Sequence, residues 1–172
     1  SALLTYLRSL KKMEIINNFI KDKTIATTIK NLLMSPTFPY YYRNYVANEK
    51  DESDYFFSHM LYDRNKQHSD YFNQVTMPIL GRLNFNYLHR VKVNCYTKKP
   101  TEIITGMHTD LSQKHQVALY SVNTNNGYTL FENGDKAPSV ENQLVLFDGS
   151  LKNCSVAQTD ENIRVNININ LK

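Results

Sequence analysis

The segment Ile163–Leu171 constrains the fold more than any other. Ile163, Val165, Ile167 and Ile169 fall in one phase, and Arg164, Asn166, Asn168 and Asn170 in the other. Side chains that repeat with a period of two describe a strand with one apolar and one polar face. Residues 88–96 alternate in the same way. Residues 116–122, residues 128–132 after a turn around Asn125-Asn126-Gly127, and the apolar run 143–147 read as further short strands. No helical period interrupts this series.

The N-terminal half reads differently. Residues 24–34 carry Ile25, Ile29, Leu32 and Leu33 on one helical face, with Asp22 placed as N-cap and Pro36 forcing a stop. Residues 69–83 repeat the pattern through Tyr71, Phe72, Val75, Ile79 and Leu80, with Pro78 positioned to kink the helix. Residues 13–20 read as a short strand ending at a turn, the aromatic run from Phe38 to Tyr42 as extended chain, and residues 47–54 as a polar loop. Leu3, Leu4, Leu7 and Leu10 are spaced helically ahead of Lys11 and Lys12. Residues 1–12 are therefore either an appended arm or an ordinary first helix. Helices first and strands after predict an α+β, mainly β fold whose strands close into a sandwich or barrel.

The chain has 172 residues, which suits one domain, here residues 13–172 with 1–12 as an extension. Its aromatic content of 12% argues against disorder. No apolar run is long enough for a membrane span. Two cysteines are too few for a disulfide framework and fit a reducing compartment, and no secretory leader is evident, so a cytoplasmic location is expected. The net charge of +4 is far from that of a nucleic-acid binder. The positive excess lies in residues 1–50, where it reads as a solvated helix surface.

The sharpest chemical signal is His108-Thr109-Asp110. Two residues apart on extended chain, imidazole and carboxylate share a face, as two ligands of a 2-His-1-carboxylate triad would for non-haem iron. Alone, the pair is a weak signal, more often a surface hydrogen-bonded couple. Arg164 belongs to the polar phase of the last strand; it is either exposed there or buried with a partner.

These residues stand within longer blocks: Phe38-Pro39-Tyr40-Tyr41, Arg90-Val91-Lys92-Val93-Asn94, Met107-His108-Thr109-Asp110, residues 118–129, residues 140–150 and residues 159–168. Across residues 13–172 the chain resembles the 2-oxoglutarate- and Fe(II)-dependent oxygenases. It is most similar to small prolyl-hydroxylase-like proteins encoded by marine phages, which would place it in a bacterial host cytoplasm. The resemblance implies a double-stranded β-helix, or jelly roll, with N-terminal helices packed on one sheet. It implies Fe(II) and 2-oxoglutarate as cofactors, His108 and Asp110 as metal ligands, and Arg164 on the far carboxylate of 2-oxoglutarate, with Tyr96 beside it. The substrate would be a small molecule or a peptide.

The resemblance fails at one position. Where the family carries its second histidine, three residues beyond Phe147-Asp148-Gly149-Ser150, this chain has Asn153. An amide oxygen is a poor, neutral donor beside an imidazole. Three outcomes are compatible with Asn153: weakened iron binding, binding of 2-oxoglutarate or another anion without useful iron, and an inactive jelly roll kept as a binding module. A cupin-like small-molecule binder is a third class of function, but it leaves the long blocks unexplained.

Substitutes for the missing ligand are few. His115 reads as a strand-edge histidine. Cys154 alternates away from Asn153, and Cys95 has no obvious partner. His59, His68 and His89 read as structural or exposed. Tyr120 and Asn166 are candidates for the pocket wall by alternation, with core packing and an ordinary polar contact as the competing explanations.

Overall fold

The computed structural model describes residues 13–45 and 54–172. The expected first helix and nearly all of the 47–54 loop lie outside these residues. The described chain forms eleven strands and two helices. The elements are β1 (Met13–Ile16), α1 (Lys23–Leu33), β2 (Tyr41–Arg43), β3 (Phe56–Asp63), β4 (Lys66–Gln67), α2 (Phe72–Leu80) and β5 (Leu88–Thr97). Then follow β6 (Gln116–Ser121), β7 (Asn125–Phe131), β8 (Lys136–Ser139), β9 (Gln143–Asp148), β10 (Asn153–Val156) and β11 (Ile163–Leu171).

The main sheet runs β1-β9-β6-β11-β5-β3-β2, with β4 paired to β3, and a smaller sheet runs β10-β7-β8. Every pairing is antiparallel. Together they make a mainly β, jelly-roll-like architecture. Asp22 caps α1 as expected, its Oδ1 accepting from the amides of Thr24 at 2.9 Å and Ile25 at 3.4 Å. Ile29 and Leu33 of α1 and Val75, Ile79 and Leu80 of α2 are buried.

Two apolar clusters sit on opposite faces of the main sheet. One packs Val91, Val93, Val165, Ile167 and Ile169 against the helices. The other joins Val117, Leu119, Val145 and Phe147 to Phe131 and Ala137 of the small sheet. Because β11 is central in the main sheet, both of its faces are covered. Arg164, Asn166 and Asn170 are buried along with the isoleucines. The polar phase of this strand faces the interior between the sheets.

Two expectations need correction, and one strand was not anticipated. The Asn125-Asn126-Gly127 segment lies in β7, not in a turn. Gly127 is there because a Cβ would press on the Val156 carbonyl oxygen at 3.0 Å and on Arg164 Cδ at 3.1 Å. The second helix begins at Phe72, three residues later than its period suggests, with Pro78 inside it. The strand β3 has no counterpart in the sequence-based reading. It forms a hairpin with β4 through Arg64 and Asn65, both at positive φ (50° and 61°). Such a two-residue turn is recognisable when glycine marks it, and here none does.

Gly149 also serves a close approach. A Cβ there would collide with the buried ring of His115, whose Nδ1 is tied to the Gln113 carbonyl at 2.7 Å. Gly149→Ala should lower stability by about 1–3 kcal/mol, the usual cost of overpacking, as read from denaturant unfolding at constant slope.

Candidate active site

The interior is built as a ladder of paired polar side chains on β5 and β11. Arg164 pairs with Tyr96, Asn166 with Asn94, Asn168 with Lys92, and Asn170 with Arg90. The alternation that puts valines and isoleucines on the helix side puts this whole ladder on the other. Asn94 donates to Asn166 Oδ1 at 3.0 Å, and Arg90 Nε donates to Asn170 Oδ1 at 3.0 Å.

At the inner end lies Arg164, 3% exposed. Its Nη1 donates to Ser155 Oγ and to the Val156 carbonyl, both at 2.9 Å. Its Nη2 has a long contact to Thr129 Oγ1 at 3.5 Å, and Nε has no partner among the described residues. No carboxylate pairs with this guanidinium among the described residues; its acceptors are all neutral. Burial lowers its affinity for its proton. Nε–H and Nη2–H form one edge of the guanidinium, the edge that takes a carboxylate through two parallel hydrogen bonds. The Tyr96 ring lies 5.5 Å from the Arg164 Cζ and stacks on Phe56 at 5.4 Å. Burial pushes the Tyr96 phenol up to about 12, with Arg164 pulling the other way.

At the outer end the segment carrying His108 crosses to the small sheet. His108 and Asn153 form an isolated antiparallel bridge and exchange both backbone hydrogen bonds at 3.0 Å. His108 Nδ1 lies 3.0 Å from the Gly106 carbonyl, which accepts its proton and leaves Nε2 as the ring's lone pair. That Nε2 is 3.6 Å from Asp110 Oδ1. The Asp110 side chain is 7% exposed. Its Oδ2 accepts from Asn168 at 2.9 Å and Asn170 at 2.8 Å, with Arg90 Nη2 at 3.8 Å. Burial alone would raise the Asp110 pKa, but the Asn170 bond, the Arg90 charge, the Asn168 bond and His108 outweigh it and hold the carboxyl below its ordinary value. Oδ1 is thus the oxygen left toward His108.

Asn153 Nδ2 donates to the Leu151 carbonyl at 3.3 Å, leaving Oδ1 as the atom able to act as a donor to a metal. Among the described residues no group of three or more His, Cys, Asp and Glu side chains is gathered to hold a metal ion. The convergent set is therefore one imidazole, one carboxylate and one amide.

His108, Asp110, Asn153, Tyr96 and Arg164 all line one cavity of about 60 Å3. It continues at Phe56, Lys92, His108 and Asp110 into a wider mouth of about 320 Å3. All five sequence-derived site residues are thus brought together. Asn166 is in the wall, as alternation suggests. Tyr120 is not: it faces the helices, where its hydroxyl donates to Asn142 Oδ1 at 3.1 Å. His59 is held between the Pro39 carbonyl and Ser69 Oγ, and His68 is exposed. His89 sits outside the cavity against the Tyr87 ring. Cys95 and Cys154 are buried and free.

Sequence reasoning missed Lys92, Asn168, Asn170, Thr129 and Ser155 as members of the site. Lys92, Asn168 and Asn170 share the phase of Tyr96 and Arg164, so extending the alternation from those two would have found them. Thr129 and Ser155 belong to the opposite sheet and carry no such signal.

No protein-family model matches this chain, and no curated protein does. Solved structures match its fold. An oxidoreductase of the 2OG-Fe(II) oxygenase family from Burkholderia pseudomallei aligns with a TM-score of 0.60 at 13% identity, over 93% of this chain and 85% of that one. A Pseudomonas putida prolyl-4-hydroxylase aligns with a TM-score of 0.61 at 10% identity, over 99% and 98%. The viral collagen prolyl hydroxylase of Paramecium bursaria Chlorella virus-1 aligns with a TM-score of 0.56 at 13% identity, over 95% and 98%. At these identities the likeness is one of fold.

Removing an amide that holds Asp110 tests the electrostatics of the site. In Asn170→Ala the carboxyl of Asp110 should titrate at higher pH than in the parent, as followed by its side-chain carbon resonance.

Proposed function

We propose that the protein is a 2-oxoglutarate- and Fe(II)-dependent oxygenase of the hydroxylase type, built on a double-stranded β-helix and attenuated by Asn153. The buried Arg164, whose Nη1 is held by neutral acceptors while its Nε–Nη2 edge makes only the long contact to Thr129 among the described residues, carries this reading. A buried guanidinium without a counterion is costly, and a ligand carboxylate offsets that cost. The fold of the solved neighbours supports the same chemistry.

The donor set fits the metal in part. His108 Nε2 and Asp110 Oδ1 converge, and the bond from His108 Nδ1 to a backbone carbonyl is the usual support of a ligating histidine. In this proposal those two atoms hold Fe(II), with the Asn153 amide oxygen as a weak third donor. Arg164 grips the far carboxylate of 2-oxoglutarate beside Thr129, and Tyr96 forms the wall. Bound iron would supply dioxygen activation coupled to oxidation of 2-oxoglutarate to succinate and carbon dioxide, with hydroxylation of a substrate C–H bond. The chain's own contribution is position and dryness: Asn168 and Asn170 fix the carboxylate, and Phe56 and Leu119 line the cavity with apolar surface.

Asn153 favours a second reading, a binding module that takes 2-oxoglutarate without turning it over. In both readings the protein is intracellular, consistent with two buried free thiols. Among the described residues no helix is long and apolar enough to cross a membrane.

Two measurements check these assignments. Under anaerobic conditions 2-oxoglutarate should bind, and Arg164→Met should weaken it on the order of 100-fold, the loss of two charged hydrogen bonds. Asn153→His should tighten Fe(II) binding by at least about 10-fold and raise succinate formation. Succinate from the parent protein supports the oxygenase. Succinate from Asn153→His alone supports the binding module. An Asn153→His protein with unchanged iron affinity would remove residue 153 from the metal position.

A further inference from the structure

The mouth of the site carries a charge pattern that 2-oxoglutarate does not use. Arg43, Arg90 and Lys92 line it, against Asp110 as its one carboxylate among the described residues. The register explains their convergence. Lys92 and Arg90 are successive inward positions of β5, while Arg43 of β2 lies opposite Phe56 of β3.

Among the described residues each cation keeps donors free. Arg43 Nε donates to Ser58 Oγ at 3.0 Å, which orients the guanidinium and leaves both terminal nitrogens without a partner among the described residues. Arg90 spends Nε on Asn170 and turns Nη2 toward Asp110, leaving Nη1. Lys92 Nζ sits 5.4 Å from the Phe56 ring centre with no hydrogen bond or ion pair among the described residues. Asp110 cannot balance three cations: its Oδ2 already takes two amides, and its Oδ1 faces His108. Like charges brought together in a partly desolvated pocket repel, and an anion relieves them.

We propose that the substrate is a small acid, whose carboxylate or phosphate is held at the mouth by Lys92, Arg90 and Arg43. This rests on the oxygenase reading, which gives the inner Arg164 end to 2-oxoglutarate and leaves the mouth to the substrate. The volume of about 320 Å3 suits a small molecule with its reacting carbon near His108 and Asp110.

The test is calorimetric titration of the full chain, saturated with Fe(II) and 2-oxoglutarate and kept free of oxygen. N-acetyl amino acids are compared with their amides, and adenosine monophosphate with adenosine. One acid should bind about 10–100-fold more tightly than its neutral counterpart, and which pair responds separates carboxylate from phosphate. Arg43→Met should abolish the preference while leaving 2-oxoglutarate affinity intact, and Lys92→Met should also abolish it. Arg164→Met should do the reverse, losing 2-oxoglutarate and keeping the preference.

Inorganic phosphate should also shift the side-chain Nε–H resonances of Arg43 and Arg90. If it shifts neither, and no acid outbinds its neutral counterpart, the proposal is overturned. It is likewise overturned if the preference is lost with Arg164 rather than with Arg43 and Lys92. A Lys92-dependent preference in a protein that fails to bind 2-oxoglutarate would sink the oxygenase reading and leave the anion site standing.

Discussion

A positive charge buried with no negative one beside it among the described residues governs this structure. Arg164 is almost wholly covered, and its described partners are a hydroxyl, a carbonyl and a distant threonine. Holding a guanidinium there requires that the polar phase of β11 face inward, and so the apolar phase must find cover elsewhere. The helices provide it, by packing on Val165, Ile167 and Ile169. Gly127 makes room for the arginine stem. The second apolar cluster then closes the far side of the interior through Phe131 and Phe147, whose rings meet edge to face at 4.9 Å.

The same ladder divides the interior by chemistry along its length. Tyr96 and Arg164 make an inner end that suits a carboxylate. Two asparagine levels further out, Asn168 and Asn170 hold one oxygen of Asp110 and leave the other toward His108. The cations of the mouth follow. Because successive levels on one face are two residues apart, the β5–β11 pair supplies Tyr96, Arg164, the asparagines, Lys92 and Arg90, while the irregular segment before β6 brings in His108 and Asp110 and β2 brings in Arg43.

Much of this was legible in the sequence, because alternation is a local property. β11 and most of β5 follow from their spacing, and His108, Asp110 and Arg164 from spacing and residue type, whereas Asn153 and Tyr96 come only from the family resemblance. What stayed hidden was non-local. The Asn-Asn-Gly segment reads as a turn because its glycine is needed for a neighbour in space, the Arg164 side chain. Strand β3 escaped notice because its turn uses Arg64 and Asn65 where glycine would have signalled it. Tyr120 shares its strand with inward residues but stands in the other phase, opposite Ile167.

The segment that carries His108 is tied to β10 at residues 108 and 153 through main-chain atoms, each amide bonded to the other's carbonyl. That closure is indifferent to the side chain at 153. The tie itself therefore does not depend on whether residue 153 is an asparagine or a histidine, and the codons for the two differ by one base. The side chain at 153 can therefore change in one mutational step while this main-chain tie stays in place.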